Sequence, residues 1–235
     1  MNLTNADIKN FKDKKFKKEN AIFLVEGVKF CKDLLNTDIE IIYTITTNKN
    51  LKGFPNIEVV SDKMLSSLAT TKTNQDIICV CKVKQFKIKS YGKSLILDNL
   101  QDPGNVGTLI RSALAFGFED VYLVNCADVF SEKVIRSSAG TILKTRLHVT
   151  DFETIKNNKS KIAKHFIVAD MDGESVDKIR LPKTEIAVII GNEGNGVSEE
   201  FLSIADTKIS IPMSNKVESL NAGVAGSIIM QKLGD

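Results

Sequence analysis

The chain has few of the features that assign a sequence to a class at once. Its longest apolar runs, such as residues 21–25 and 187–191, fall far short of the roughly 20 residues that span a bilayer. The first residues also lack the apolar stretch of a secretory signal. We therefore expect a cytoplasmic protein with no membrane partner.

Patterns typical of metal binding are missing as well. The four cysteines form no Cys-x-x-Cys pair, and the two histidines, His148 and His165, lie in strand-like segments. Cys79 and Cys81, two residues apart in a strand pattern, are expected to share one face as small buried side chains. We expect no metal, and structural roles for the thiols and for both histidines.

Two common nucleotide-binding signatures do not occur. The sequence has neither Gly-x-x-x-x-Gly-Lys-Ser/Thr nor a Gly-x-Gly-x-x-Gly between a strand and a helix, which excludes a P-loop or Rossmann enzyme. No internal repeat is evident. With 235 residues, 43% hydrophobic and 26% charged, the chain can bury one large core or two modest ones.

Charge is unevenly distributed along the chain. Residues 1–90 contain sixteen lysines and ten acidic residues, a net charge of +6, whereas residues 91–235 contain sixteen basic and nineteen acidic residues, a net charge of −3. Lysine fills six of the ten positions from Lys9 to Lys18, with Phe11 and Phe16 between them. This composition suits docking on phosphates, and it is equally typical of a solvated helix face.

Apolar patterns divide the chain into two α/β parts. Before residue 90, strands are predicted at 21–25, 40–46 and 76–83, with helices at 27–36 and 61–69. The polar stretch 84–94 has the composition of a connector, and we place the boundary near Tyr91. From Ser94 onward strands and helices alternate, which predicts a mostly parallel sheet with helices on both faces. The expected domains are residues 1–90 and 91–235.

Three segments of the second part run from an apolar strand into a loop rich in Gly and Asn. In the first, residues 102–107, we expect Asn105 to cap a helix that begins at Val106 or Gly107, with Arg111 about one turn further along. The second, residues 191–196, follows the most apolar strand, and the third comprises residues 211–213 and 218–225. Loops of this kind at the carboxyl edge of a sheet bind ligands in open α/β folds. Taken singly, each is equally typical of a tight turn or of helix packing.

Together the three segments resemble the SpoU, or TrmH-like, family of RNA 2′-O-ribose methyltransferases, part of the SPOUT superfamily. The family motifs occur in order and with the expected spacing: Asn105 with Arg111, Gly-x-Glu-x-x-Gly at 191–196, and Ile-Pro-Met with Ser-Leu-Asn at 211–221. Residues 23–35 and 71–80 resemble, more loosely, the family's ribosomal-protein-like substrate-binding domain. The resemblance implies a small N-terminal α/β domain, a C-terminal domain with a deep trefoil knot, and a homodimer in which both subunits contribute to each site.

The resemblance also implies a cofactor and a set of site residues. S-adenosylmethionine would lie among the three loops, held largely by backbone groups. The implied cofactor-binding residues are Gly191, Asn192, Gly194, Gly196, Ile211, Met213, Leu220 and Ala222. The implied reactive-centre residues are Asn105, Arg111, Glu193, Ser219 and Asn221.

The chemistry of these side chains suggests how they divide the work. Arginine has a pKa above about 12 and is a poor proton acceptor, so we assign Arg111 to gripping a phosphate and stabilising developing oxyanion charge. A phosphate or a water would then take the proton. An unshifted carboxylate is a weak base, so Glu193 is assigned a positioning role.

The expected function is methylation of a ribose 2′-hydroxyl in RNA, which excludes DNA as the acceptor. The separate basic domain favours ribosomal RNA, in particular 23S rRNA. Two alternatives remain open: a tRNA methyltransferase of the same family, and a catalytically silent RNA-binding or ribosome-assembly factor.

Overall fold

The computed structural model describes residues 3–70, 76–89, 92–180, 182, 184–214 and 216–234. The chain divides into two units, one formed by Met1–Lys84 with Phe130–Ile135 and the other by Gln85–Val129 with Arg136–Asp235. The predicted boundary near Tyr91 falls outside the described residues, as does the start of the 71–80 stretch. Within the described ranges, no helix combines the length and the apolar character that crossing a bilayer requires.

The first unit contains a mixed four-stranded sheet in the order β1-β4-β2-β3, in which β4 runs antiparallel to both β1 and β2 and β3 runs parallel to β2. The predicted strands and helices are present, and α1, α2 and β3 were not predicted. The described elements are α1 (Asn5–Lys12), α2 (Lys14–Glu19), β1 (Ile22–Glu26), α3 (Val28–Leu34), β2 (Ile41–Thr46), β3 (Ile57–Val59), α4 (Asp62–Leu68) and β4 (Ile77–Lys82).

Helices α1 and α2 form because short polar side chains cap them. Thr4 and Asp7 make a reciprocal capping box, in which the Thr4 N–H donates to Asp7 Oδ2 at 2.8 Å and the Asp7 N–H donates to Thr4 Oγ1 at 3.3 Å. Asp13 ends α1 and caps α2 by accepting the Phe16 N–H at 2.7 Å. The carboxylates of Asp7 and Asp13 therefore accept hydrogen bonds from backbone N–H groups and, among the described residues, do not pair with the neighbouring lysines, whose charges stay at the surface.

The aromatic residues of the lysine-rich segment point inward. Ile8 and Phe11 belong to the core beneath the sheet, and the Phe11 ring lies 5.8 Å from that of Tyr43. Phe16 is partly buried against the same core. The buried Phe11 ring is not free to stack on a base and Phe16 is exposed only in part, so the phosphate-docking hypothesis depends chiefly on the lysines.

The cysteines are all free thiols, and three of them pack in the first unit. Cys79 and Cys81 lie fully buried on the same face of β4, together with Cys31 of α3. Burial raises the pKa of the Cys81 thiol, and in the second unit it raises the pKa of Cys126 to about 11. Thiols held in this protonated form are weak nucleophiles, which agrees with structural roles.

The second unit contains a six-stranded sheet in the order β10-β8-β9-β5-β6-β7, and every pairing between its described strands is parallel. The predicted α/β class with a mostly parallel sheet is confirmed. Its elements are β5 (Lys93–Asp98), α5 (Pro103–Ala115), β6 (Phe118–Val124), α6 (Glu132–Ser137), a 3-10 helix (Thr141–Lys144), β7 (Arg146–Thr150), α7 (Phe152–Asn157), α8 (Lys159–Ile162), β8 (His165–Ser175), β9 (Ile186–Ile190), α9 (Glu199–Ile204), β10 (Thr207–Ser210) and α10 (Ala222–Gly234).

The strand order reverses between β5 and β9. From β5 the chain passes through α5 to β6 on one side of the sheet, whereas from β9 it passes through α9 to β10 on the other side. The loops that follow these two adjacent strands therefore diverge and leave a crevice at the carboxyl edge. This is the position at which open α/β sheets bind ligands.

Alternate residues of the strands face two different helix layers. Ile189 belongs to a buried cluster with Phe166 and Phe201, beneath α7, α8 and α9. Ile190 faces the opposite side, where its side chain contacts Gly226 of α10. The sheet is thus covered on both faces, as a parallel sheet requires.

The sequence pattern predicts one helix over residues 152–165 and a strand over residues 166–170, and the structure differs in the extent of both. The single helix expected over 152–165 is divided at Asn158, whose side-chain amide donates to Thr154 O at 2.9 Å and whose backbone ends α7 and opens α8. Strand β8 runs beyond the predicted segment to Ser175. The extension pairs with β10 because Gly173 has no side chain; a Cβ there would lie 2.5 Å from Ile209 N.

A buried ionic cluster joins β6 to β7. Asp120 is fully buried and accepts hydrogen bonds from Arg146 Nε at 3.0 Å and Nη2 at 2.9 Å, and His148 Nε2 lies 2.9 Å from its carboxylate. Burial acts to raise the pKa of Asp120, but the bonds to His148 and Arg146 outweigh it, and that pKa lies below its ordinary value. The His148 ring stacks on Tyr122 at 4.4 Å, so this histidine is a structural partner.

Replacing Asp120 by Asn is expected to lower the free energy of unfolding by about 1–3 kcal/mol, because the buried side chain loses its charge-assisted hydrogen bonds with Arg146 and His148. Because folding depresses this pKa, the stabilisation is present above the ordinary aspartate pKa and is lost as the pH falls through the folded-state value. Urea unfolding at pH 7 and at acid pH measures both effects.

Glu119→Gln is the matched control for that experiment. Glu119 also binds Arg146, at 2.9 Å, but its side chain is 58% exposed, and exposed ion pairs contribute about 1 kcal/mol or less. Equal losses in the two variants would show that burial does not set the strength of the Asp120 contact.

Candidate active site

Helix α5 begins earlier than the sequence predicts. Pro103 is its first residue, and Asp102 caps it by accepting the Gly104 N–H at 2.6 Å. Proline suits the first helical position because it has no N–H to satisfy there and its φ is already helical. The prediction that Asn105 is the cap is therefore wrong. Asn105 lies inside the first turn, which leaves its side chain available for other contacts.

The Asn105 side chain joins the first loop to the second. Its Nδ2 donates to Glu193 Oε1 at 2.6 Å, although the two residues are 88 positions apart in the chain. Asn105 is 8% exposed, whereas Glu193 is exposed, so this hydrogen bond lies at the edge of the buried region. Glu193 thus holds the Asn105 side chain through this bond, and its positioning role in the reaction stays a prediction.

The 191–196 loop closes on itself. The Asn192 and Gly196 backbones exchange two hydrogen bonds of 2.9 Å, and Asn192 Oδ1 accepts the N–H groups of Gly194 at 2.9 Å and Asn195 at 3.3 Å. Gly191 packs directly against the Gly196 backbone, leaving no room for a side chain. Gly196 has a φ of 69°, a conformation that favours glycine.

Both ends of this loop are tied to the end of β5. Asn192 Nδ2 donates to Asn99 O at 2.9 Å, and the Ser198 N–H donates to Asp98 Oδ2 at 2.7 Å. Asp98 is buried at the last position of β5. The loop after β9 is therefore held over β5, with Glu193 directed at the first turn of α5.

The third segment reaches the same place through the start of α10. Asn221 acts as its N-cap, since its Oδ1 accepts the Val224 N–H at 3.2 Å. A Cβ on Gly223 would lie 3.1 Å from Asn221 Oδ1 and 3.2 Å from Asn105 Oδ1. The first turns of α5 and α10 thus bring Asn105, Glu193 and Asn221 together.

Helices α5 and α10 pack closely through small residues. Gly226 lies directly against Leu109, Gly223 against Thr108, and the hydroxyls of Ser112 and Ser227 are 2.7 Å apart. The sequence analysis did not single out this serine pair. Gly226 and Ser227 come three and four residues after Gly223, so the three lie on one face of α10, and this spacing in the sequence could have predicted the packing face.

Arg111 and Ser219 are exposed and take no part in the contacts described above. Arg111 is exposed on α5, three residues beyond Thr108, and makes no hydrogen bond or ion pair with any part of the chain that the structure describes. Ser219 is exposed in the segment before α10. His165, in contrast, lies at the start of β8, 2.7 Å from Thr207 Oγ1, away from these residues.

A cavity of about 450 Å³ opens between the ends of β8 and β10, the 211–220 segment and α10, within the range of small-molecule sites. Gly191, Asn192, Gly194, Gly196 and Ala222 are not among its described lining residues. Asp170 and Met171 were not predicted; the extension of β8 places them there. The lining residues are Ala169, Asp170, Met171, Ile209, Ser210, Ile211, Pro212, Met213, Ser214, Val217, Glu218, Ser219, Leu220, Ala225 and Ile229.

Comparison with known proteins decides the family. Residues 92–231 match the model of the SpoU rRNA methylase family. The chain belongs to this family. Over 97% of its length it is 31% identical to the 23S rRNA (guanosine(2553)-2′-O)-methyltransferase RlmP of Bacillus subtilis, of which it covers 96%.

Solved structures show the same fold over the whole chain. A TrmH-family protein from Porphyromonas gingivalis has a TM-score of 0.86 at 26% identity, with 99% of this chain and 98% of that chain covered. The SpoU methyltransferase AviRb from Streptomyces viridochromogenes, solved with AdoMet, has a TM-score of 0.85 at 19% identity, with 98% and 97% covered.

Membership of the SpoU family confirms the predicted enzyme class, and the protein is an RNA methyltransferase that uses S-adenosylmethionine. The cavity fits this cofactor. Ile209, Leu220 and Ile229 offer apolar contact, whereas Ser219 and Asp170 offer polar groups. Pro212 follows the end of β10 and the backbone of Ile211–Ser214 lies outside regular structure, so its polar groups are not used by a sheet.

Gly191→Ala is expected to force the 191–196 loop open and to separate Glu193 from Asn105. Overpacking of this kind destabilises by about 1–3 kcal/mol, and we expect weaker binding of S-adenosylmethionine as well. Urea unfolding and calorimetric titration with the cofactor measure the two effects.

Gly194→Ala serves as the control in the same loop. A Cβ at Gly194 would meet only Asn192 Oδ1, at 3.5 Å, an ordinary contact. Gly194 is itself an implied cofactor-binding residue, so this control applies to the free energy of unfolding. Equal losses of that free energy in the two alanine variants would contradict the closed loop described above.

Proposed function

We propose that this SpoU-family protein methylates the 2′-hydroxyl of a ribose in 23S ribosomal RNA. The observation that carries the proposal is that helix α10 adjoins a ligand-sized cavity through Ala225 and Ile229 and, through its first turn, the Asn105–Glu193–Asn221 group. The substrate is supported by RlmP, whose name specifies 23S rRNA and 2′-O-methylation and whose sequence aligns with nearly the whole chain.

The residues divide into a holding group and a reacting group. Ile211, Met213, Leu220 and the neighbouring backbone hold S-adenosylmethionine, which when bound supplies an electrophilic sulfonium methyl. The implied contacts of Gly191, Asn192, Gly194, Gly196 and Ala222 belong to the same proposal. Their support is that Ile190, directly before the closed loop, contacts Gly226 of α10, the helix whose Ala225 and Ile229 line the cavity.

Arg111 acts on the RNA. Its guanidinium grips the phosphate next to the target ribose and stabilises the charge that develops as the hydroxyl loses its proton to that phosphate or to a water. Ser219, exposed at the cavity, and Asn221 orient the reacting groups. Asn105, held by Glu193, completes the first turn of α5 beside them.

The assembly around the site is also part of the proposal. Residues 1–90 bind the RNA and residues 91–235 transfer the methyl group, in the cytoplasm. The C-terminal segment forms a deep trefoil knot, as the family motifs at 105–111, 191–196 and 211–221 imply. The enzyme works as a homodimer: Thr108 and Arg111 are exposed on α5, and Val224 of the adjoining α10 is 47% exposed, so a second copy can reach the site.

Arg111→Ala is expected to reduce methylation of 23S rRNA by about 10²–10³-fold, the usual cost of losing an oxyanion-stabilising donor. Its affinity for S-adenosylmethionine is expected to change less than twofold, because Arg111 does not line the cavity. Calorimetry measures affinity, and ribose-methylation mapping on rRNA from cells that lack the gene measures activity.

Arg111→Lys and Arg180→Ala sharpen this test. Lysine keeps the charge but not the bidentate geometry, so Arg111→Lys is expected to restore methylation only in part. Arg180 is exposed after β8, and Arg180→Ala is expected to leave methylation unchanged. A large loss of cofactor affinity in Arg111→Ala would show that the residue belongs to the cofactor site. Methylation of tRNA but not of rRNA would reassign the substrate.

Replacing Lys9, Lys12 and Lys14 by Ala is expected to weaken RNA binding and to make its salt dependence shallower. These lysines are exposed and, among the described residues, form no ion pair. Each lost phosphate contact should reduce the slope of log K against log salt by roughly 0.7. Filter-binding titrations at several salt concentrations give the slope.

The matched control replaces Lys156, Lys161 and Lys178, three exposed lysines of the second unit. This variant has the same change in net charge, so a general electrostatic effect lowers both slopes alike. An unchanged slope of log K against log salt in the variant of Lys9, Lys12 and Lys14 would show that these lysines form a solvated helix face and do not contact RNA phosphates.

A further inference from the structure

Among the described residues that line the cavity, Asp170 is the one carboxylate whose two oxygens are both held by other groups of the chain. It follows the part of β8 that pairs with β9, and its side chain is 22% exposed. Glu218, the other acidic residue that lines the cavity, is exposed in the segment before α10. An acceptor at a fixed position can select a ligand, whereas a mobile surface carboxylate contributes little.

Two contacts fix the Asp170 carboxylate from outside the cavity. Oδ1 accepts the N–H of Asp172 at 3.0 Å, and Oδ2 lies 3.0 Å from Lys208 Nζ. The hydrogen bond from Asp172 and the charge of Lys208 lower the pKa of Asp170, so it is ionised at neutral pH. A carboxylate has about four acceptor positions, and these contacts use two of them.

The charge of this pair narrows the choice of ligand group. Lys208 neutralises Asp170, so the pair offers lone pairs without net charge and does not select a cation such as the ammonium or sulfonium of the methyl donor. Ser210, a neighbouring polar side chain, already donates to Gly173 O at 2.7 Å. The groups left for Asp170 are neutral donors, and a vicinal diol offers two of them to one carboxylate.

We infer that Asp170 accepts hydrogen bonds from the ribose hydroxyls of the methyl donor and makes the cavity specific for a ribonucleoside. This inference rests on the assignment of the cavity to S-adenosylmethionine. The same chemistry operates where an acidic residue at the end of a strand binds the ribose of a dinucleotide. Asp170 would therefore set ligand selectivity, separately from the residues that act on the RNA.

The test compares two ligands that cannot transfer a methyl group: S-adenosylhomocysteine and its 2′,3′-dideoxy analogue. By calorimetry, the native protein is expected to bind the dideoxy analogue about ten- to a hundredfold more weakly, as for loss of hydrogen bonds to a charged group. Asp170→Asn is expected to lose a similar factor for S-adenosylhomocysteine and to bind the two ligands nearly alike.

Asp177→Asn is the matched control, because Asp177 forms a comparable pair with Lys232 at 2.7 Å but does not line the cavity. This variant is expected to bind S-adenosylhomocysteine more tightly than the dideoxy analogue by the same factor as the native protein. Equal affinity of the native protein for the two ligands would overturn the inference even if Asp170→Asn failed to fold. Failure of the native protein to bind either ligand would overturn the cofactor assignment together with the inference.

Discussion

The parallel pairing of β5 with β9 is the constraint on which the site depends. The two strands are neighbours, but the chain continues from β5 towards β6 and from β9 towards β10, which lie on opposite sides of the sheet. The loops that follow them therefore leave the same edge in different directions. Asp98 and Asn99, at the end of β5, hold both ends of the loop after β9. Every contact of Glu193 with the first turn of α5 follows from this arrangement.

The second requirement is the close approach of two helices. Glycines on α10 let its backbone lie against α5, and the Ser112–Ser227 hydroxyl pair adds a polar contact to an otherwise apolar face. Bulkier residues would move the N-terminus of α10 away from Asn105. The small residues of the third motif are thus explained by packing as well as by chemistry.

Much of this arrangement was accessible from the sequence, since strand and helix alternation fixes the fold class and the family motifs name the site. The exact start of α5 could not be predicted in this way, because Asp102 and Asn105 are both good capping residues. Only Pro103 favours the cap at Asp102. Asp170 was missed because an aspartate after a strand also reads as a turn residue. Its role depends on β8 continuing beyond its pairing with β9, which Gly173 allows through a contact with the distant Ile209 of β10.

The long sequence separations within the site have a consequence for biosynthesis. Asn105 meets Glu193, 88 residues later, and Ser112 meets Ser227, 115 residues later, so the first contact cannot form before the loop after β9 has left the ribosome, nor the second before α10 has left it and docked. Pairings this remote form slowly. A nascent or truncated chain can therefore build the first unit and its basic helices while having no place for the methyl donor, and cofactor binding reports completion of the whole fold.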